Sequence, residues 1–235
     1  MTTLDGRRIL IVGGGSGIGR EIAAQASSLG AETILAGRHG ESLEELAGTH
    51  TVVVLDLTDE AAIERAAAEV GPIDAIVALA ADHANGPLQS LDVTRVRRAF
   101  DTKVVGPLLL AKHFAPDMPK DGVIVLFSGV AASRPSRDLV VMATANRAAE
   151  GLADALAVEL APIRVVAISP GIVDSGAWDS LGAEQKDEFF ESVAAANPAR
   201  RVGSTRDVAD VVMLALTNPY LTATTLHVDG GGRIA

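Results

Sequence analysis

From Arg8 onward, short β-branched runs alternate with longer alanine-rich segments of helical period: RILIV, GIGREIAAQASSLG, ETILA, ESLEELAG, TVVVLDL, DEAAIERAAAEVG and DAIVALA. A strand, a helix and then another strand return the chain in the same direction, so this order calls for parallel strands joined by right-handed crossovers. The second half continues it with a long helix from about Asp92, the strand VIVLFS, a helix around Met142, the strand IRVVAIS and a closing strand TTLHV. The expected fold is α/β: a doubly wound sheet of seven parallel strands with helices on both faces, in three α/β/α layers. Gly30, Gly48 and Gly71 follow periodic segments, where glycine ends a helix. A chain of 235 residues can bury the core of one such domain, and residues 1–235 read as a single unit.

Bulk charge narrows the partners. Lysine and arginine number 20 against 30 aspartates and glutamates, a net charge of −10 that repels phosphate backbones and anionic lipid. Neither nucleic acid nor a membrane surface is an expected partner, and no run approaches the length of a membrane span. The absence of cysteine excludes disulfides, thiol catalysis and thiolate metal sites, and no metal ligands are assigned. The start, MTTLDGRR, is polar, and the apolar run Ile9–Val12 is too short for a secretory signal, so a cytoplasmic location is expected.

Between the first strand and the first helix lies IVGGGSGIGRE, with five glycines among residues 13–19. Glycine lets the backbone turn tightly and approach a pyrophosphate, while helix amides and the positive dipole end face the anion. The spacing is G-x-x-x-G-x-G, carried by Gly13, Gly17 and Gly19, and G-x-G-x-x-G fits no register. Residues 175–203 depart from the alternation and hold Trp178, Phe189 and Phe190, three of the seven Phe, Trp and Tyr residues. They read either as a substrate lid with an apolar inner face or as a surface helix packing its own aromatics.

The turn GGGSGIG, Asp56 in LDLTD, the run AVELAPIRV, Ser169-Pro170-Gly171 and Val228-Asp229-Gly230-Gly231 together resemble the short-chain dehydrogenase/reductase family over nearly the whole chain. The resemblance implies a Rossmann-like sheet that binds a nicotinamide dinucleotide at the carboxyl ends of its strands. It implies cofactor contacts from Gly13, Gly15, Ser16, Gly17, Ile18, Gly19, Arg38, Asp56, Leu57, Ala80, Pro170, Gly171 and Val173. An acid ending the second strand would bind the free ribose hydroxyls of NAD(H), yet Gly37 stands there with Arg38 beside it. NADP(H) is therefore favoured over NAD(H), since a guanidinium forks onto phosphate; the plainer reading of Arg38 is a solvated turn residue.

The family's acid/base machinery is rearranged. Where it carries tyrosine, and lysine four residues on, this chain has Met142 and Asn146; Gly129 takes the serine position thirteen residues before the tyrosine. A thioether and a hydrogen cannot exchange the required proton. The family's relay asparagine is Lys103 here, so lysine and asparagine have traded places. Pro107 lacks the amide that would bond the carbonyl of Lys103. Lys103, Asn146 and His83, the last in the loop DHANG, are the catalytic candidates. Ser128 is a weaker one, because a regular pleat points it away from the side of Gly129. Ser133, Arg134 and Arg137 are candidates for holding an anionic substrate.

Two functions remain open: an NADP(H)-dependent oxidoreductase acting on a small carbonyl or alcohol with a non-standard acid, and a dinucleotide-binding protein without redox turnover. The family also implies a homotetramer or homodimer, with the Asp92 and Met142 helices on symmetry mates and Ala149, Ala153 and Ala157 suited to close approach.

Overall fold

The computed structural model describes residues 3–38, 43, 45–46 and 48–235. Its strands are β1 (Arg8–Val12), β2 (Glu32–Gly37), β3 (Thr51–Val54), β4 (Ala75–Ala78), β5 (Val123–Phe127), β6 (Arg164–Pro170), β7 (Val173–Asp174), β8 (Gly203–Ser204) and β9 (Thr224–Val228). Seven of them form one sheet in the order β3-β2-β1-β4-β5-β6-β9, and every pairing is parallel. The expected doubly wound α/β architecture is the one observed. The two-residue strands β7 and β8 pair with each other beyond the main sheet.

The central strands are apolar without alternation because both faces are covered. Leu10 and Val12 pack with Ile63, Leu110, Phe114 and Leu156 on one face, while Ile9 and Ile11 pack with Ile22, Val208 and Val212 on the other. The first layer contains α2 (Glu60–Val70), α4 (Gly106–Phe114) and α5 (Val140–Glu159), and the second contains α1 (Gly17–Ser28) and α7 (Thr205–Thr217). Ile9, Leu10 and Ile11 are almost fully buried, each contributing about 1.5–3 kcal/mol relative to an exposed side chain.

Helix ends follow local chemistry. Asp59 caps α2 by accepting from the Ala62 amide, Asp92 accepts from Thr94 ahead of α3 (Val93–Phe100), and Ser204 with Asp207 forms a reciprocal box on α7. Gly30 follows α1 at φ +93° and Gly71 caps α2 at φ +70°. Residues 41, 42, 44 and 47 of the segment ESLEELAG, expected to be a helix before Gly48, lie outside the described residues.

Between α3 and α4 the helix widens into a π turn, Asp101–Val105, where the Gly106 amide bonds the Asp101 carbonyl five residues back. Pro107 follows immediately and has no amide for Lys103, so the ladder must adjust at this place. A side chain on Gly106 would bring its Cβ within 2.7 Å of Leu57 Cβ. Glycine thus lets the turn press against the loop after β3.

One expectation is corrected. Ala149 and Ala153 do not form an outward face: they are fully buried within the protomer, and Ala157 packs against the same core as Leu126 and Ala167. Small residues here bring α5 close to its own sheet. Within 175–203 the chain forms a regular helix, α6 (Ala183–Ala196), preceded by a short helical turn. Its aromatics pack on one another, with Trp178 and Phe189 centroids 4.8 Å apart and Phe189 and Phe190 6.0 Å apart.

Candidate functional site

The chain leaves β1 for β2 and β3, then crosses back to add β4 on the other side of β1. Open α/β sheets place their ligand crevice at such a switch point, outside the carboxyl ends of the strands. A cleft of about 550 Å³ lies there, with Gly13, Gly15, Ser16, Gly17 and Ile18 along one wall.

The glycines have separate reasons. Gly13 and Gly17 adopt φ +95° and +48°, and a Cβ on Gly17 would stand 2.6 Å from the Ser175 carbonyl oxygen. Gly19 does not line the cleft; its absent Cβ would sit 2.1 Å from the Gly13 carbonyl oxygen, so the turn closes only without it. Ser16 occupies the N-cap of α1 without a side-chain capping bond, and the first turn holds no acid. That helix end presents amides and a positive dipole to the cleft.

Arg38, Asp56, Leu57 and Ala80 line the opposite end. Burial alone would raise the pKa of Asp56, but hydrogen bonds from the Thr58 amide and hydroxyl, with the charges of Arg98 and Arg38, hold it below the ordinary value. Arg38 forks onto Asp82 at 3.1 and 2.9 Å. Pro170, Gly171 and Val173 do not line the cleft. Pro170 ends β6 beside Val228, Gly171 has no room for a Cβ, which would meet Asp229 Cα at 2.8 Å, and Val173 is buried in the β7–β8 pair. Ser175, Gly176 and Ala177 line it instead, as does Thr102, and nothing in the local sequence pattern had singled these out.

At the inner end, Lys103 on the π turn is 8% exposed and its Nζ donates to the Ser128 carbonyl oxygen at 3.2 Å. Desolvation lowers its pKa to about 8. Asn146 on α5 is 4% exposed; its Nδ2 lies 2.9 Å from where a Cβ on Gly129 would be, and its Oδ1 is buried without a hydrogen-bond partner. Both side chains therefore reach the Ser128–Gly129 segment, one from each helix. Neither lines the open cleft. Met142 is buried on α5 as well. The Ser128 hydroxyl donates to the Asn146 carbonyl and to Glu150 Oε1, whose other oxygen accepts from Arg147. Ser128 is thus committed to α5, the same helix that a side chain on Gly129 would meet, so the pleat does not send the two to opposite sides.

His83 lines the cleft. Burial and the nearby Lys103 charge lower its pKa, partly opposed by Asp82. Arg95 fixes its loop by donating to the His83 carbonyl at 3.1 Å. Of the candidates for an anionic substrate, Arg134 donates to the Gly232 carbonyl at 2.9 Å, and Ser133 and Arg137 are exposed. Among the described residues no acidic or histidine cluster could hold a metal ion, and no helix is long and apolar enough to cross a membrane.

A family model described as enoyl-(acyl carrier protein) reductase matches residues 13–232. The chain is 31% identical to the 2-keto-3-deoxy-L-fuconate dehydrogenase of Xanthomonas campestris, over 98% of this chain and 81% of that protein. It is 30% identical to the L-xylulose reductase of Mus musculus, over 97% of each. The crystal structure of a small-chain dehydrogenase in complex with NADPH matches with a TM-score of 0.87 at 33% identity, covering 98% of this chain and 100% of that one. With a family model, sequence relatives and a solved structure all matching over nearly its whole length, the chain belongs to the short-chain dehydrogenase/reductase family of nucleotide-binding oxidoreductases.

Proposed function

We propose that the protein is an NADP(H)-dependent oxidoreductase of a small carbonyl or alcohol, in which Lys103 serves as the proton donor and acceptor that tyrosine provides elsewhere in the family. The observation that carries this reading is the Lys103 ammonium, buried at the inner end of the site with the Ser128 carbonyl as its hydrogen-bond acceptor.

The residues present fit a nicotinamide dinucleotide. The five glycines from Gly13 to Gly19 keep the turn tight and open to a pyrophosphate, and Asn146 Oδ1 is a buried acceptor without a donor, suited to a ribose hydroxyl. Arg38 would take the 2′-phosphate, and Asp56 the adenine amine. The solved small-chain dehydrogenase complex with NADPH supports the same choice. When bound, the dinucleotide gives or takes a hydride. Lys103 supplies the accompanying proton from Nζ to the substrate oxygen in reduction and withdraws it in oxidation. A pKa of about 8 suits both directions near neutrality. His83 at the rim connects that proton to solvent. The assembly expected is a homodimer or homotetramer, and the exposed Val105 and Leu108 supply apolar surface for it.

A second reading, dinucleotide binding without turnover, is favoured by two features: Met142 fills the tyrosine place, and Lys103 stands back from the cleft wall. Titration of NADPH by fluorescence, followed by consumption across a panel of carbonyl compounds, separates the two. The oxidoreductase reading expects turnover, and Lys103→Met is expected to lower kcat by about 10²–10⁴-fold with little change in NADPH affinity. Tight binding with no consumption of NADPH supports the second reading, and full turnover in Lys103→Met removes the role given to that side chain.

A further inference from the structure

Four charged side chains form a chain around the adenosine end of the cleft. Asp82, in the loop after β4, accepts both Arg38 Nη groups through its two oxygens. Its Oδ2 also accepts from Arg98 Nε at 3.0 Å and from the Thr102 hydroxyl at 2.8 Å. Arg98, on α3, then reaches Asp56 Oδ2 at 3.3 Å. The links join the ends of β2, β3 and β4 to the helix that leads into Lys103. Asp82 is mostly buried, while both arginine side chains are partly exposed. Burial would raise the Asp82 pKa, yet Thr102 and the two guanidiniums keep it below the ordinary value, so Asp82 stays an anion at neutral pH.

These contacts differ in how easily they yield. Asp82 gathers four donors and is the fixed point. The Arg98–Asp56 link is the longest of the arginine contacts, and Asp56 keeps both Thr58 bonds when Arg98 leaves. A dianionic phosphate beside Arg38 would compete for Arg98, because a guanidinium binds phosphate through paired charge-assisted hydrogen bonds. Movement of Arg98 from Asp56 to phosphate would free Asp56 Oδ2, the acceptor assigned to the adenine amine. A dinucleotide without the phosphate would leave Arg98 on Asp56, in competition with that amine.

We propose that Arg98 is a second specificity-determining residue for the 2′-phosphate of the dinucleotide, and that Asp82 is the positioning residue that holds Arg38 and Arg98 side by side to receive it. This rests on the NADP(H) reading above. Discrimination then comes from two coupled effects: the phosphate gains a second guanidinium, and the adenine gains an unobstructed carboxylate.

The test is fluorescence titration of the full-length protein with NADPH and with NADH, for the wild type, Arg38→Ala, Arg98→Met and Asp82→Asn, with thermal melts to show that each variant is folded. Arg98→Met is expected to weaken NADPH about tenfold, to leave NADH within threefold or tighten it, and to flatten the salt dependence of NADPH binding. Asp82→Asn removes a negative charge from the phosphate's surroundings. A mere electrostatic effect would therefore increase the preference for NADPH, whereas loss of positioning reduces it, and reduction is expected. An unchanged NADPH-to-NADH ratio in Arg98→Met overturns the role of Arg98, and a raised ratio in Asp82→Asn overturns that of Asp82. If the wild type shows no preference for NADPH, or keeps its full preference in Arg38→Ala, the NADP(H) reading itself fails and takes this inference with it. Preference lost in Arg38→Ala but kept in Arg98→Met refutes the inference alone.

Discussion

Replacing Lys103 with methionine should make the protein more stable at neutral pH, and the gain should vanish in alkali. Methionine keeps the length and apolar stem of lysine but not the ammonium. The folded pKa of Lys103 is about 8 against an ordinary value of 10.5, because burial disfavours the cation. At about 1.36 kcal/mol per pKa unit, holding the charge in the fold costs about 3 kcal/mol at pH 7. Lys103 is almost wholly buried, so solvent screening reduces this little. The sign follows from proton binding. Between about pH 8 and 10.5 the unfolded chain holds the proton and the folded chain releases it, so wild-type stability rises with pH through that window. Below it, the full cost is present; above it, the cost is gone. The variant also loses the bond to the Ser128 carbonyl, worth about 1 kcal/mol. Lys103→Met is therefore expected to be about 2 kcal/mol more stable than wild type at pH 7, with the difference close to zero at pH 10. Urea unfolding of both proteins at the two pH values, at one fixed protein concentration, measures it. A difference that does not change with pH would show that Lys103 is not a buried cation, and the catalytic reading of its ammonium would fall with it.

The glycines give two sharper tests of geometry. Gly19→Ala places a Cβ 2.1 Å from the Gly13 carbonyl oxygen, and since backbone cannot yield as a side chain does, we expect NADPH affinity to fall by more than about tenfold along with a loss of roughly 1–3 kcal/mol in unfolding free energy. Gly129→Ser, which restores the family's serine, is permitted by an extended backbone at φ 170° but meets Asn146 Nδ2 at 2.9 Å; it should destabilise by about 1–2 kcal/mol, and pairing it with Asn146→Ala should recover much of that loss, with additive effects counting against the contact.

The parts of this molecule that were legible in its sequence are those set by local period. Unbroken apolar strands, helices spaced between them and a glycine-rich turn gave the sheet, its two covered faces and the crevice. Lys103 was legible too, because its spacing from Val96 and Phe100 places it near the buried stripe of its helix. What was hidden depends on contacts far apart in the chain. Asp82 and Arg98 look like ordinary surface charges until the loop after β4 meets α3 and the end of β2. Ala149 and Ala153 illustrate a different ambiguity: small residues allow close approach to whatever lies opposite, and periodicity does not say whether that is a partner or the protein's own sheet. Helix α6 was one of two open readings rather than a clear one, because none of its residues is buried and it has no strong apolar stripe to reveal its period.

The departures from the family's catalytic residues are physically coupled rather than separate losses. Two ammonium groups reaching the same buried segment would repel one another and compound the desolvation cost, so a lysine at 103 favours a neutral side chain at 146. Asparagine fills that requirement, but its amide lies 2.9 Å from where a side chain on residue 129 would begin, so anything larger than glycine there must displace it. At 142, a buried methionine preserves packing without introducing a hydroxyl that needs a partner. A single reversion toward the family pattern therefore meets a clash, a like charge or an unsatisfied polar group. The arrangement holds together as a set, with one cation, one amide and no phenol, and the proposed role of Lys103 rests on that set.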